Sequence, residues 1–211
     1  MAKPRKVKLS WKGSSASVEL GEGKPVLHVL GKGCDESDLP PQAVRLSQVH
    51  GNRIELYPRG GEEADGMVVR RGERTPCLSV ADCLPLFLVS DRYLVAVHAG
   101  WRGLAAGVAE AALWALPEPA RICVLGPCIC GKCYPVGDDV RRAVLTGQDT
   151  ERHPPGRVDL KLSALGRLEA AGLADGCEVL RVNDCTRCGS PQLCSHRAGD
   201  RSGRNLVWLE G

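Results

Sequence analysis

The chain has 211 residues, of which 43% are hydrophobic and only 4% aromatic. That length fits one domain whose core is built mainly from Val, Leu and Ala. The net charge of +3 is small, and the basic run at residues 3–8 has no interleaved aromatic residues, so we expect no nucleic-acid partner.

The sequence also argues against a membrane or secreted protein. No apolar run is long enough to cross a bilayer, and the basic N-terminus leads into polar residues rather than the apolar core of a signal peptide. We therefore expect a cytoplasmic protein. The odd number of cysteines, 11, then indicates thiols and metal ligands rather than a disulfide framework.

Strands are predicted where short apolar or alternating runs lie between Gly, Pro and Ser. They fall at 7–11, 17–20, 25–30, 67–69, 84–89, 94–98, 122–125, 177–182 and 205–209, with one or two more at 44–57 that bend at His50. Apolar residues at helical spacing predict helices at 103–116, 136–145 and 159–171. The elements lack a regular βαβ rhythm, which predicts a single α+β domain over residues 1–211, with mixed β-sheets flanked by helices.

The side chains of His50, Cys83 and His98 form a candidate metal site. Cys83 stands at the start of one buried run, His98 ends the next, and His50 lies at the upstream bend. His, Cys and His are one ligand short of the tetrahedral set of zinc, and a catalytic zinc keeps that position for water or substrate. The alternative is that Cys83 is a small core residue and His98 a hydrogen-bonded buried histidine.

Several segments together resemble the laccase-domain family, also called the polyphenol-oxidase or peptidoglycan-editing-factor family. The most specific are ADCLP at 81–85 and HAGWRG at 98–103. The others, in the family's order, are QVHG at 48–51, ADG at 64–66, LGPCI at 125–129, CYPVG at 133–137, CT at 185–186, SHR at 195–197 and GR at 203–204. The resemblance covers roughly residues 45–211, whereas residues 1–44 match poorly and are shorter than in relatives.

This resemblance implies an α+β fold similar to that of a toxin deamidase, with one zinc ion bound by His50, Cys83 and His98. It also implies action on purine nucleosides: phosphorolysis of adenosine, inosine or methylthioadenosine, and deamination of adenosine. The expected partners are thus a small nucleoside and phosphate. The family's older assignment is a copper-dependent laccase, but five histidines are too few for the usual multicopper ligand set, so copper is the less favoured metal.

Candidate catalytic groups lie in the same segments. Asp82 and Asp65 are the nearest carboxylates by motif for a proton shuttle. Phosphorolysis needs a phosphate cradle, for which Arg102, Arg197 and Arg204 are the candidates. Each of these arginines is equally compatible with an ordinary ion pair.

Two other classes of function are compatible with the same residues. Cys83 and His98 also suit a metal-free thiolate–imidazole hydrolase or amidase, acting on peptidoglycan precursors as some relatives are linked to do. A non-enzymatic metal-binding or scaffolding protein is the third reading. Metal content separates the first two, because a metal-bound thiolate is not free to act as a nucleophile.

Further cysteines suggest a second, structural zinc site. Cys185 and Cys188 have CxxC spacing, and Cys194 and His196 follow them. The alternative for these residues is free thiols in the core. Another group is formed by Cys128, Cys130 and Cys133, for which packing is the simpler interpretation and a redox-active pair the less favoured one.

Overall fold

The structure is a computed structural model that describes residues 4–148 and 150–211. Its strands are β1 (Arg5–Val7), β2 (Ser10–Lys12), β3 (Ser15–Glu19), β4 (Val26–Leu30), β5 (Ala43–Val44), β6 (Ile54–Leu56), β7 (Gly66–Arg70), β8 (Thr75–Val80), β9 (Leu84–Val89), β10 (Tyr93–Ala99), β11 (Ile122–Leu125), β12 (Glu178–Val182) and β13 (Asn205–Glu210). Its α-helices are α1 (Trp101–Ala105), α2 (Val108–Ala115), α3 (Asp138–Leu145) and α4 (Leu160–Ala170).

The strands form two mixed sheets. The larger has the order β1-β12-β11-β9-β10-β7-β6, and the smaller has the order β2-β3-β4-β13-β8-β5. In the centre of the larger sheet β10 is antiparallel to both β9 and β7, so that His98 lies opposite Pro85 at the end where β9 begins. The α+β class predicted from the sequence is confirmed.

Two hydrophobic cores explain the layering. Phe87 and Val89 of β9 face the smaller sheet and pack with residues such as Leu78 and Val207. Because side chains alternate along a strand, Leu86 and its neighbours on the opposite face pack against the helices. The larger sheet is therefore buried on both faces, which is why its central strands read as continuous apolar runs.

Several predicted boundaries differ from the observed ones. The strand predicted at 7–11 is two strands, β1 and β2, which belong to different sheets. The helix predicted at 103–116 is divided into α1 and α2 by Gly107, which adopts φ +86°. Most of 44–57 is a loop between β5 and β6. The sequence pattern does not predict strand β8, because Pro76 interrupts the short apolar run in which it lies.

Within the described residues, no helix has the length and apolarity that crossing a membrane requires.

The contact between the two sheets can be tested at Phe87. This side chain is fully buried, whereas Trp114 is 72% exposed on α2. We expect Phe87→Ala to lower the free energy of unfolding by about 3–5 kcal/mol, because a large cavity forms between the sheets. Trp114→Ala is the matched aromatic control and should change it by less than about 0.5 kcal/mol in denaturant titrations. Equal effects of the two substitutions would contradict this packing.

Candidate metal and anion site

The Asp65 carboxylate organises the candidate site. Asp65 is fully buried and directly precedes β7. One of its oxygens, Oδ1, lies 2.8 Å from Nδ1 of His98, and its backbone carbonyl accepts the His98 N–H at 2.7 Å. Since Nδ1 of His98 is engaged by Asp65, the other ring nitrogen, Nε2, is the one available as a ligand.

The same carboxylate holds the loop that carries His50. It accepts the backbone N–H of His50 at 2.8 Å, that of Gly51 at 2.6 Å and that of Val49 at 3.3 Å. His50 itself adopts φ +63°, a conformation that is strained for a residue with a Cβ. Gln48 fixes the loop from the other side, because its amide exchanges two hydrogen bonds with the backbone of Ser79 on β8.

These contacts bring the three predicted ligands together. The ligand atoms of His50, Cys83 and His98 all lie within 4.8 Å of one another. The two imidazoles meet edge to face with ring centroids 4.7 Å apart. The donor set and its spacing fit a metal ion with three protein ligands and one further position.

Electrostatics favour the metal-binding form of the thiol. Burial raises the pKa of Cys83, but the imidazoles of His50 and His98 outweigh it and lower that pKa to about 7. Burial lowers the pKa of His98, whereas Asp65 and the Cys83 thiolate outweigh it and raise that pKa to about 9. Near neutral pH the metal-free site thus holds a substantial fraction of thiolate, the form of cysteine that binds metals, beside a protonated His98 that must lose its proton when a metal ion binds.

Asp82 joins three segments beside the site. One carboxylate oxygen accepts the hydroxyl of Thr186 at 2.6 Å, and the other accepts the backbone N–H of Arg197 at 2.8 Å. Its carbonyl accepts the N–H of Ile129 at 3.0 Å. Both candidate shuttles are therefore occupied by structural hydrogen bonds, and Asp65 does not line the cavity. The assignment of Asp82 or Asp65 as a proton shuttle stays a prediction, and the hydrogen bonds show that each carboxylate also connects segments of the chain.

A cavity of about 640 Å³ opens beside the three ligands. This volume lies within the ordinary range for small-molecule sites. Besides the three ligands and Asp82, its lining includes Arg45, Leu46, Gln48, Trp101, Arg102, Tyr134, His196, Arg197 and Arg204. The sequence indicated the three arginines Arg102, Arg197 and Arg204, but it did not reveal Arg45, Gln48 or Tyr134 as lining residues.

The three predicted arginines keep their positive charge available to a ligand. Arg197 lies over the Tyr134 ring and donates to a backbone carbonyl, and Arg102 lies over the Trp101 ring. Arg204 donates to the nearby backbone carbonyls of Arg201 and Gly203. Among residues 4–148 and 150–211, no ion pair joins any of the three to a carboxylate, whereas Arg45 pairs with Glu36. The cavity is therefore suited to an anion.

The four residues predicted to form a second metal site do not all lie together. Cys185 and Cys188 lie with Cys130 and Cys133, and neither Cys194 nor His196 belongs to that cluster. The N–H of Cys194 is hydrogen-bonded to Asn205 at the start of β13, and His196 lines the cavity instead. In the group formed by Cys128, Cys130 and Cys133, Cys128 is fully buried, and burial raises its pKa to about 12. Packing therefore explains Cys128.

Known proteins resemble this chain along most of its length. A family model described as multi-copper polyphenol oxidoreductase laccase matches residues 24–210. The chain belongs to this family. The resemblance seen in the sequence is thereby confirmed, and the match begins upstream of residue 45.

Curated members of this laccase-like family carry another activity in their names. A purine nucleoside phosphorylase of Pseudomonas aeruginosa is 33% identical over 78% of this chain and 73% of its own length. One from Streptomyces coelicolor is 32% identical over 81% and 76%. The crystal structure of the hypothetical protein YfiH of Bacillus licheniformis superposes with a TM-score of 0.77 at 22% identity, covering 94% of this chain and 97% of the other, which supports the fold.

Close packing around the ligands gives a test of the site. A Cβ on Gly100 would lie 3.0 Å from the Cys83 sulfur and 3.2 Å from Cδ2 of His50. Any residue can adopt the Gly100 φ of −76°, so Gly100→Ala causes no backbone strain and perturbs the site only through steric contact. We expect roughly tenfold weaker zinc binding in chelator competition, because two ligands are displaced.

Gly176→Ala is the matched control, since its Cβ would meet nothing within 4 Å. Its zinc affinity should be unchanged. Unaltered zinc binding in Gly100→Ala, with the control behaving as expected, would show that His50 and Cys83 do not hold the ion.

Proposed function

We propose that the protein is a zinc-dependent purine nucleoside phosphorylase. The observation that carries this proposal is the placement, around one cavity, of a candidate three-ligand metal site and of three arginines that pair with no carboxylate of the described residues. The names of the relatives from Pseudomonas aeruginosa and Streptomyces coelicolor point to the same reaction.

Zinc fits the ligand chemistry better than a multicopper centre does. Two histidines and a thiolate form the cluster, and other histidines are engaged elsewhere: His28 stacks on Trp208, and His153 accepts the N–H of Asp159. A multicopper oxidase needs many imidazoles at close range. When bound, the zinc ion supplies a Lewis acid beside the cavity.

Phosphorolysis breaks the bond between the purine and C1′ of the ribose and joins C1′ to a phosphate oxygen. The chain's contribution is to hold the phosphate close to the sugar at the correct angle. Arg102, Arg197 and Arg204 supply guanidinium groups that bind a phosphate through paired hydrogen bonds. The side chains of Leu46 and Trp101 give the same cavity an apolar part that suits a purine ring.

Deamination of adenosine is the second reaction that we propose, and the geometry supports it less well. A deaminase moves protons with a free carboxylate near the reacting atoms. Asp82 is the carboxylate that lines the cavity, and both of its oxygens accept hydrogen bonds from protein groups. The phosphate-dependent reaction therefore comes first in this proposal.

The proposal is tested with zinc-loaded protein, adenosine or inosine, and inorganic phosphate. We expect release of free purine base that depends on phosphate, and a fall of roughly 100-fold or more in kcat/KM for Cys83→Ser. Arg102→Gln should raise the KM for phosphate about tenfold, because one charged hydrogen-bond donor is lost. Conversion of adenosine to inosine without phosphate would report the deaminase reaction.

The matched control is Arg121→Gln, since Arg121 pairs with Asp91 at an exposed position. Its KM for phosphate should stay unchanged. Absence of phosphate-dependent base release from both nucleosides would refute the phosphorylase. Metal-free protein in which Cys83 is readily alkylated and a peptidoglycan amide is cleaved would favour the cysteine hydrolase.

A further inference from the structure

The chain contains two CxxC segments that are distant in sequence and adjacent in space. They are Cys130–Cys133 and Cys185–Cys188, in the loops that follow β11 and β12. The parallel pairing of β11 with β12 continues into a bridge between Cys128 and Cys185. The fold therefore brings the two loops side by side.

The four thiols have the spacing of a tetrahedral metal site. Their sulfur atoms all lie within 4.8 Å of one another, and the sulfurs of Cys130 and Cys188 are 3.9 Å apart. Four sulfurs at 2.3 Å from a central zinc ion are separated by about 3.8 Å. All four residues are free cysteines, so no disulfide accounts for the cluster.

The backbone around the thiols is shaped to aim them inward. Residues 131–133 form a single 3-10 turn, in which the N–H of Cys133 donates to the carbonyl of Cys130 at 2.9 Å. The N–H of Cys130 also donates to the sulfur of Cys185 at 3.2 Å. After Cys188, Gly189 turns so tightly that a Cβ would lie 2.5 Å from the Cys185 carbonyl oxygen.

Charge also favours a bound cation with four thiolates. Four thiolates and one divalent ion leave a formal charge of two minus, which nearby cations can offset. Each CxxC loop contains one cation, Lys132 in the first and Arg187 in the second. Arg187 donates to the carbonyl of Cys133 at 3.2 Å, so it links the two loops.

We propose that Cys130, Cys133, Cys185 and Cys188 bind a structural zinc ion, separate from the site at His50, Cys83 and His98. Four thiolates close the coordination sphere, which is the pattern of structural rather than catalytic zinc. The ion fastens two loops that border the cavity. Tyr134 follows Cys133 directly and lines that cavity, and Thr186, between Cys185 and Cys188, holds Asp82.

The site is tested by metal analysis in the Cys83→Ser background, which removes a thiolate from the other cluster. We expect about one zinc per chain to remain in Cys83→Ser after dialysis against a weak chelator. That zinc should be lost in Cys83→Ser/Cys188→Ser. Cys188 is exposed, so this substitution perturbs the core little. The control is Cys83→Ser/Cys34→Ser, because Cys34 belongs to neither cluster and should keep the zinc.

Cobalt substitution provides a readout that does not depend on any variant of the four cysteines. Co²⁺ bound to folded Cys83→Ser should give the intense thiolate charge-transfer and tetrahedral bands of a four-sulfur site. Folded Cys83→Ser without zinc and with four freely titrating thiols would overturn the proposal. So would stoichiometric iron in place of zinc, or zinc that Cys83→Ser/Cys188→Ser retains against the chelator. None of these outcomes bears on phosphorolysis, which is measured separately.

Discussion

The candidate site depends on one buried carboxylate. Asp65 touches His98 through its side chain and its backbone carbonyl, and it binds three consecutive N–H groups of the loop that carries His50. Without it, a buried imidazole would lose its orientation and a strained loop would lose its anchor. A carboxylate with this many hydrogen bonds to protein groups is poorly suited to moving protons, which is why we place it behind the ligands rather than among the reacting groups.

The fold provides the rigidity that this arrangement needs. Asp65, Cys83 and His98 lie at the adjoining ends of β7, β9 and β10, in the centre of a sheet that is buried on both faces. Much of the remaining cavity lining comes from loops that are hydrogen-bonded to one another, and the start of α1 adds Trp101 and Arg102. Asp82 contributes to this cross-linking, because it binds Thr186 and the backbone of Arg197 from the C-terminal third of the chain. A rigid sheet supports the proposed metal ligands, and hydrogen-bonded loops carry many of the groups that we propose to meet substrate.

The sequence predicted the ligands better than their environment. Cys83 lies at the start of an apolar run and His98 at the end of one, so the pattern alone predicts that both residues lie at the ends of buried strands. The role of Asp65 could not be predicted, since it depends on hydrogen bonds made across the fold. The same limit explains the second cysteine cluster. Cys185 and Cys188 signalled a metal site by their spacing, but their partners lie more than fifty positions upstream and are brought near only by the pairing of β11 with β12. The helical spacing of apolar residues also did not reveal the break at Gly107, where the structure has two helices instead of the one predicted.

The most direct test of this account is the effect of Asp65→Asn on zinc affinity, measured by chelator competition on folded protein, with every protein compared carrying Cys188→Ser so that the second proposed zinc is absent. An asparagine NH₂ group would face either the Nδ1–H of His98 or the loop N–H groups, so one set of hydrogen bonds becomes a contact between donors. We expect affinity to fall about 10- to 100-fold. The isosteric control Asp91→Asn, at an exposed ion pair, should leave it unchanged. If folded Asp65→Asn binds zinc as tightly as the unaltered chain, Asp65 does not organise the site and the central claim is wrong.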